Sequence, residues 1–338
     1  MSYIQELTNT AKIDKIIKYY HEKTIGRMIV AGVEQHRQKQ ENMANILELL
    51  RQRNMTRREL CQQAKLSWAC VSELVGVLIE KAILVEEKAE DTTQGRRPLL
   101  LSLNPRKCVL GMDINRIGIA VCLCDLYGEK QKQVIYPVDA GSVQALRHSV
   151  DQALAQVTPQ VIGIGVAMQG QRQGKDWLFP GDHERIRWSL EDLQGLPTWV
   201  EHDPNCMLLG HVNRLEDKVM LVRVDDGVGV SLYTEGRFSQ EPLELGWTVI
   251  DGERLTARIR QNDAEALGQA LGNLCALIHV DHLILCGKRI EQLDLSRLLD
   301  SYKKTVVEHS KTLITIEKTM DASFGAAKLA LMNYPYSI

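Results

Sequence analysis

The sequence predicts an α/β protein built in two parts: an N-terminal winged helix-turn-helix, then a larger and internally duplicated α/β body. Three observations predict it. Charge is unevenly spread, with 18 Lys+Arg against 13 Asp+Glu in residues 1–107 and 23 against 30 in the rest. Two short segments with helix-cap signals precede two β-rich runs separated by a basic turn. Finally, a strand-turn-strand pattern, VLGMDINRIGIAVCLCDL, occurs a second time as KVMLVRVDDGVGVSLYTEGRF. A basic module on an acidic body points to nucleic-acid binding by the first part and another task for the second.

Composition sets the frame. A chain of 338 residues exceeds one ordinary core, so two or three domains are expected. Its hydrophobic fraction of 44% and charged fraction of 25% are those of a soluble globular protein. No apolar run is long enough for a membrane helix. The polar start MSYIQELTNTAKID resembles neither a secretory signal nor a transit peptide, and a cytoplasmic protein is expected. The eight cysteines lie mostly in apolar stretches, as buried thiols do in a reducing compartment. Cys122 and Cys124 form the one close pair, and no second pair completes a zinc site, so no metal is expected.

In chain order, residues 1–40 carry amphipathic helices, 41–105 the winged helix-turn-helix, and 106–338 the body. Met43, Ile46, Leu47 and Leu50 mark a helix that Asn54 breaks. Thr56-Arg57-Arg58-Glu59 has capping-box spacing and opens a short helix to about Gln63. Lys65 and Leu66 make a turn, and Ser67 caps the next helix. There Val71, Leu74, Val75, Leu78 and Ile79 form one buried stripe, leaving Trp68, Ala69, Ser72, Glu73 and Gly76 outward. Ile83–Glu87 and Leu99–Leu103 read as the strands of a wing around EDTTQGRRP. In a helix-turn-helix the first turn of the second helix enters the major groove. Ser67, Trp68, Ala69, Ser72 and Glu73 are therefore the candidate base readers. Arg57, Arg58, Arg96 and Arg97 are the candidate phosphate or minor-groove anchors.

In the body, VIGIGVAM is a buried strand ending in Gln169-Gly170, and Trp199–Asp203 is a strand ending on a polar pair. Val143–Ala155 and Ala264–Ile278 are helices, HLILCG is a strand, and DASFGAAKLALMNY is a closing small-residue helix. The order repeats, as in a duplicated fold.

The ordered motifs ILELLRQRN, GRRP, IGIGVAMQG, EHDPN, VRVDDGVGVSLYTEGRF, ELGW and DASFGAA carry a resemblance to the ROK family (repressors, open reading frames, kinases). It runs from about Glu41 to Leu331 and is nearest to the Mlc- and NagC-like repressor branch. The resemblance implies an actin-like, sugar-kinase-like body in two lobes, about 106–200 with the C-terminal helix and about 201–320. It also shows what has been lost. Asn115 and Arg116 stand where the kinases carry a glycine-glycine-threonine phosphate turn after the residue matching Asp113. The second phosphate turn reads Asp225-Asp226-Gly227-Val228-Gly229, and the adenosine-side glycine pair is reduced to Gly287-Lys288. The cysteine-rich zinc loop is absent, and Trp247 replaces a family histidine. A non-catalytic body is implied, with no cofactor. Gly170, His202, Asp203, Glu244 and Trp247 remain as a candidate effector site, for a sugar or sugar phosphate; a phosphotransferase-system protein is the alternative input. The resemblance thus implies a repressor of carbohydrate-related genes, a homodimer or tetramer on a double-stranded operator. The rival readings are an ATP-dependent sugar kinase with an added DNA-binding domain, and a protein-interaction scaffold.

Overall fold

The structure is a computed structural model that describes residues 36–88, 99–155, 160–174, 176–189, 193–211, 218–225, 227–234, 237–239, 243–306, 311–318 and 320–337. The chain divides into two compact units, Met1–Asn104 with Pro335–Ile338, and Pro105–Tyr334. Among the described residues no helix is long and apolar enough to cross a membrane. The amphipathic segment expected over residues 1–40 lies outside the described residues up to residue 35.

In the first unit α1 covers residues 36–52 and buries Met43, Ile46, Leu47 and Leu50, the helical spacing of its apolar positions. Strand β1 (Met55–Thr56), helices α2 (Arg57–Ala64) and α3 (Trp68–Glu80), and strands β2 (Leu84–Lys88) and β3 (Leu99–Leu103) follow. The strands form one antiparallel sheet in the order β1-β3-β2, with Met55 opposite Leu101 and Leu84 opposite Leu103. Sequence reading places a strand at Ile83–Glu87; the strand begins one residue later. Ala82 adopts a left-handed turn (φ 54°), and the Ile83 amide still returns to the Leu78 carbonyl at 2.8 Å. β1 was not anticipated, because two residues are too few to show alternation. The loop carrying Arg96 and Arg97 lies outside the described residues.

The second unit contains two sheets of the same design. The first has β4 (Cys108–Ile114), β5 (Ile119–Asp125), β6 (Lys130–Tyr136), β7 (Val161–Met168) and β11 (Thr198–His202), ordered β11-β7-β4-β5-β6. Strands β11, β7 and β4 run parallel, and β5 and β6 are antiparallel. The second has β12 (Val219–Val224), β13 (Val228–Thr234), β14 (Arg237–Phe238), β15 (Leu243–Glu244), β18 (His282–Cys286) and β19 (Leu313–Glu317), ordered β14-β13-β12-β18-β19 with β15 also on β13. Again three strands are parallel and begin with the first arm of the hairpin. The repeat seen in the sequence is therefore a repeat of topology.

Both sheets are covered on both faces, which explains their near-continuous apolar runs. Helix α4 (Val143–Leu154) and a small sheet of β8 (Gln171–Gln173), β9 (Asp176–Pro180) and β10 (Arg185–Ser189) enclose one core with the first sheet. Helices α6 (Leu255–Arg260), α7 (Ala264–Leu277) and α8 (Leu295–Thr305) enclose another with the second. A third core lies between the sheets, around α5 (Asp203–His211) and α9 (Ala322–Asn333). The strand expected at Trp199–Asp203 ends at His202, and Asp203 opens α5. Strands β16 (Val249–Ile250) and β17 (Glu253–Arg254) form a separate hairpin.

Helix α9 buries a face of small residues, Ala322, Ser323, Gly325, Ala326, Ala327 and Ala330. A Cβ at Gly325 would overlap the Cys206 carbonyl of α5, and one at Gly165 would overlap the Ala326 carbonyl of α9. Gly325→Ala should thus destabilise the second unit by about 1–3 kcal/mol or more, since backbone must move to admit the methyl group. Gly76→Ala, on the exposed face of α3 where a Cβ meets open space, should stabilise the first unit by roughly 0.5–1 kcal/mol. Urea midpoints followed by circular dichroism test both; a Gly325→Ala chain as stable as wild type would refute the close approach.

Candidate functional site

The first candidate site is the start of α3. Helix α2 is fixed by a full capping box: the Glu59 amide donates to Thr56 Oγ1 (3.2 Å), and the Thr56 amide donates to Glu59 Oε2 (2.8 Å). The Thr56 amide and the Arg53 guanidinium (2.8 Å) hold the Glu59 carboxyl below its ordinary pKa. Lys65 closes α2 in the left-handed conformation (φ 55°), and Ser67 Oγ accepts the Cys70 amide (3.2 Å) to start α3. Val71, Leu74, Val75 and Leu78 then face the core, and Ile79 is half-buried. The opposite face presents Ser67, Trp68 (59% exposed), Ala69 and Glu73, with Ser72 half-buried.

The flanking charges are not equivalent. Arg57 is ion-paired to Glu86 on β2, and Glu73 to Lys39 on α1 (2.8 Å). Arg58 is exposed and has no hydrogen-bond or ion-pair partner among the described residues. The sequence made Arg57 and Arg58 interchangeable anchors, whereas the structure gives Arg57 a competing carboxylate.

The second candidate site is a cleft of about 300 Å³ in the second unit. Gly170, His202, Asp203 and Trp247 line it together, with Arg185, Arg223 and Asp225. Gly170 has φ +115°, and a Cβ there would overlap the Leu178 carbonyl. Trp247 is 63% exposed, and the Arg254 guanidinium lies 4.6 Å from its ring centroid. That stacking already uses one ring face. The β16–β17 hairpin that positions Arg254 turns at Asp251-Gly252, both with positive φ. Glu244 pairs through its backbone with Gly229; its side chain lies outside the described residues.

At the centre of the cleft stands Arg223, which sequence reading did not select. Its guanidinium is ion-paired to Asp203 through Nη1 and to Asp225 Oδ2 through Nε at 2.6 Å. Burial works against the charged guanidinium, but the two carboxylates outweigh it and hold its pKa above the ordinary arginine value. The signal was available: one arginine interrupts the buried strand VMLVRV.

The first turn that would cradle phosphate is occupied from within, and the carboxylate at the start of the second is engaged elsewhere. Asn115 Oδ1 accepts the Ile117 amide (2.9 Å) and the Gly118 amide (3.3 Å). The Asp225 carboxylate accepts the Lys288 amide (2.8 Å) as well as Arg223. In the first turn, backbone amides that an anion could use are thus bonded to the Asn115 side chain. Among the described residues, no three His, Cys, Asp or Glu side chains are grouped to hold a metal, and all eight cysteines are free.

Asp113 lies behind this cluster. Its Oδ2 accepts Asn115 Nδ2 (3.1 Å), and its Oδ1 is buried without a hydrogen-bond partner. Burial, reinforced by the nearby Asp203 charge, pushes its carboxyl up to about 7. An acid with a raised folded-state pKa keeps a proton that the unfolded chain has released. Its contribution therefore becomes progressively unfavourable as pH rises from its ordinary value to about 7, then stays constant. Asp113→Asn, which mimics the protonated form, should gain on wild type by a few kcal/mol between pH 5 and pH 8. Urea unfolding of both chains across that range checks this, and parallel stability curves would exclude it.

Comparison with known proteins follows this geometry. No family model matches the chain. It is 27% identical over 304 residues, 83% of its own length and 71% of the relative's, to the DNA-binding transcriptional dual regulator NagC of Escherichia coli K12. The same figures hold for the N-acetylglucosamine repressor of Shigella flexneri. A crystal structure of a ROK family transcriptional regulator, a homologue of the E. coli Mlc protein, matches with a TM-score of 0.68 at 18% identity, over 88% of this chain and 96% of that one. The ROK hexokinase from Thermus thermophilus matches with a TM-score of 0.53 at 17% identity, over 68% of this chain and 99% of that one. The structural matches give an α/β fold shared with ROK regulators and sugar kinases, and in sequence the chain is similar to the NagC regulator and N-acetylglucosamine repressors.

Proposed function

We propose that this protein is a DNA-binding repressor of carbohydrate-related genes, with residues 41–105 as a winged helix-turn-helix and 106–338 as a non-catalytic ROK body. The observation that carries this reading is α3. Its N-terminal turn is capped by Ser67 and exposed at Trp68 and Ala69, and Arg58 of α2 is exposed without a partner among the described residues. An exposed N-terminal turn is what major-groove entry of a recognition helix requires. The homology to named DNA-binding regulators supports the same reading. In it, Ser67, Trp68, Ala69, Ser72 and Glu73 meet base edges, and Arg57 and Arg58 meet phosphate, together with Arg96 and Arg97. Operator half-sites related by two-fold symmetry would call for a homodimer or tetramer.

The body's role is sensing and assembly rather than phosphoryl transfer. Asp203 matches the general base of family kinases, but its carboxylate is engaged by Arg223. A base must be free to take the proton of the attacking hydroxyl, and phosphoryl transfer needs its phosphate turns open. Gly170, His202, Asp203, Glu244 and Trp247 form the effector region, for a sugar or sugar phosphate. The solved hexokinase neighbour shows that the fold can support catalysis, so ATP turnover with a hexose panel is the direct test of this clause.

Full-length protein should bind DNA from upstream of its own gene in fluorescence anisotropy, with affinity falling steeply as salt rises. Arg58→Ala should weaken binding to all sequences alike and reduce the salt slope by about 1. Trp68→Ala should cost about 1–3 kcal/mol on the preferred sequence and much less on random DNA. No salt-sensitive binding to any DNA would sink the regulator reading.

A further inference from the structure

A second cavity, of about 630 Å³, lies beside the cleft in the same unit. It shares only Gly170 and His202 with the smaller one. Its character is different. The smaller cleft is centred on an arginine already bound to two carboxylates. The larger one is lined by Arg172 and Arg237, both exposed, and neither has a hydrogen-bond or ion-pair partner among the described residues. Arg172 is on β8 and Arg237 on β14, so separate elements bring two exposed guanidiniums to one concavity.

The rest of the lining is aromatic and aliphatic. Trp177 is buried, with its Nε1 held by the Gln169 carbonyl at 3.0 Å. Tyr233 and Phe238 meet edge to face, with ring centroids 5.0 Å apart. Met332 of α9, 47% exposed, also lines the cavity. Burial pushes the Tyr233 phenol up, so it stays neutral, and its hydroxyl has no partner among the described residues. One carboxylate, Glu201, contributes to the lining. Its Oε1 is already occupied by the Asn205 side chain (3.0 Å) and the His202 amide (2.8 Å). Asn205 is in turn fixed by Ser231 at 2.5 Å. The lining is thus pre-set, apolar over much of its area, and left with an excess of positive charge.

We propose that this cavity is a second ligand site, beside the smaller cleft and sharing Gly170 and His202 with it, for an organic anion with a flat apolar body. Arg172 and Arg237 take its acidic group, and Trp177, Tyr233, Phe238 and Met332 take its apolar body. A concave, mostly apolar site with a few polar groups at fixed positions is how proteins hold such ligands. Guanidinium groups supply paired donors that match carboxylate, sulfonate or phosphate oxygens. The site needs neither DNA binding nor kinase ancestry, so it stands apart from the function proposed above.

The test uses full-length protein and two fluorescent probes, 8-anilinonaphthalene-1-sulfonate and its uncharged analogue N-phenyl-1-naphthylamine. Neither arginine has a partner among the described residues, and circular dichroism verifies that Arg172→Ala/Arg237→Ala keeps its fold. The sulfonate should bind wild type saturably at one site per chain. The double variant should bind it about tenfold more weakly or worse, because charge-assisted hydrogen bonds are lost. The uncharged probe should change less than about twofold, and Arg185→Ala, in the other cavity, should leave both probes within about twofold of wild type. Absence of saturable sulfonate binding would overturn the proposal. So would unchanged sulfonate affinity in the double variant, an equal loss for both probes, or an equal loss in Arg185→Ala.

Discussion

The second unit depends on one steric constraint, the contact between α5 and α9 where Gly325 meets the Cys206 carbonyl. These two helices fill the space between the sheets. α9 lies against β4 and β7 at Gly111 and Gly165, while the α5 residues Cys206, Met207 and Leu208 pack with Val219, Leu221 and Ile284 of the other sheet. Any side chain at Gly111, Gly165 or Gly325, alanine included, would push these elements apart. The polar residues of the cleft sit at the ends of those sheets and of α5, so their distances are set by this packing. Asp203 is the first residue of α5, and Arg223 projects from β12, the strand beside β13 and β18. Small residues at the helix crossing therefore place a cation and an anion together several residues away.

That ion cluster sets the electrostatics of the smaller cleft. Arg223 faces Asp203 and Asp225, and Asp113 is close enough to feel the charge of both Asp203 and Arg223. Removing one partner of a buried ion pair leaves the other uncompensated and is far more costly than the net worth of the pair. Restoring a glycine to either turn would leave Arg223 in the cleft, still paired with Asp203. Removing Arg223 alone would leave three carboxylates near one another, two of them buried. The cluster is self-consistent as a unit, and single changes toward a kinase lead uphill in stability.

Much of this architecture was legible in the sequence, for identifiable reasons. Capping residues act locally, so Thr56, Glu59 and Ser67 gave the starts of α2 and α3 without knowledge of the fold. Strands buried on both faces read as apolar runs, and the repeated hairpin showed the duplication directly. The losses came where contacts are long-range or too short to show a period. Strand β1 is two residues. Asp203 reads as the end of a strand by pattern, although it opens a helix. The pairing of Arg57 with Glu86 spans a sheet register that the sequence does not encode locally, so its difference from Arg58 was invisible. Arg223 was legible in principle, as a charge inside an apolar strand, yet its partners Asp203 and Asp225 become meaningful only in three dimensions.

The wall between the two cavities is the remaining constraint on any signal. Gly170 and His202 face both, and His202 precedes Asp203, with its Nε2 3.7 Å from Asp203 Oδ1. The His202 amide is held by Glu201, which is held by Asn205, so the end of β11 is tied to the floor of the larger cavity. At Gly170 any side chain would strike the Leu178 carbonyl, leaving that wall little room to yield. An occupant of the larger cavity can bias the cleft only by binding one arrangement of this wall better than another. Whatever bias it exerts on binding in the cleft is returned in equal measure. The shortest physical route between the cavities is one residue of backbone, from His202 to the carboxylate that holds Arg223.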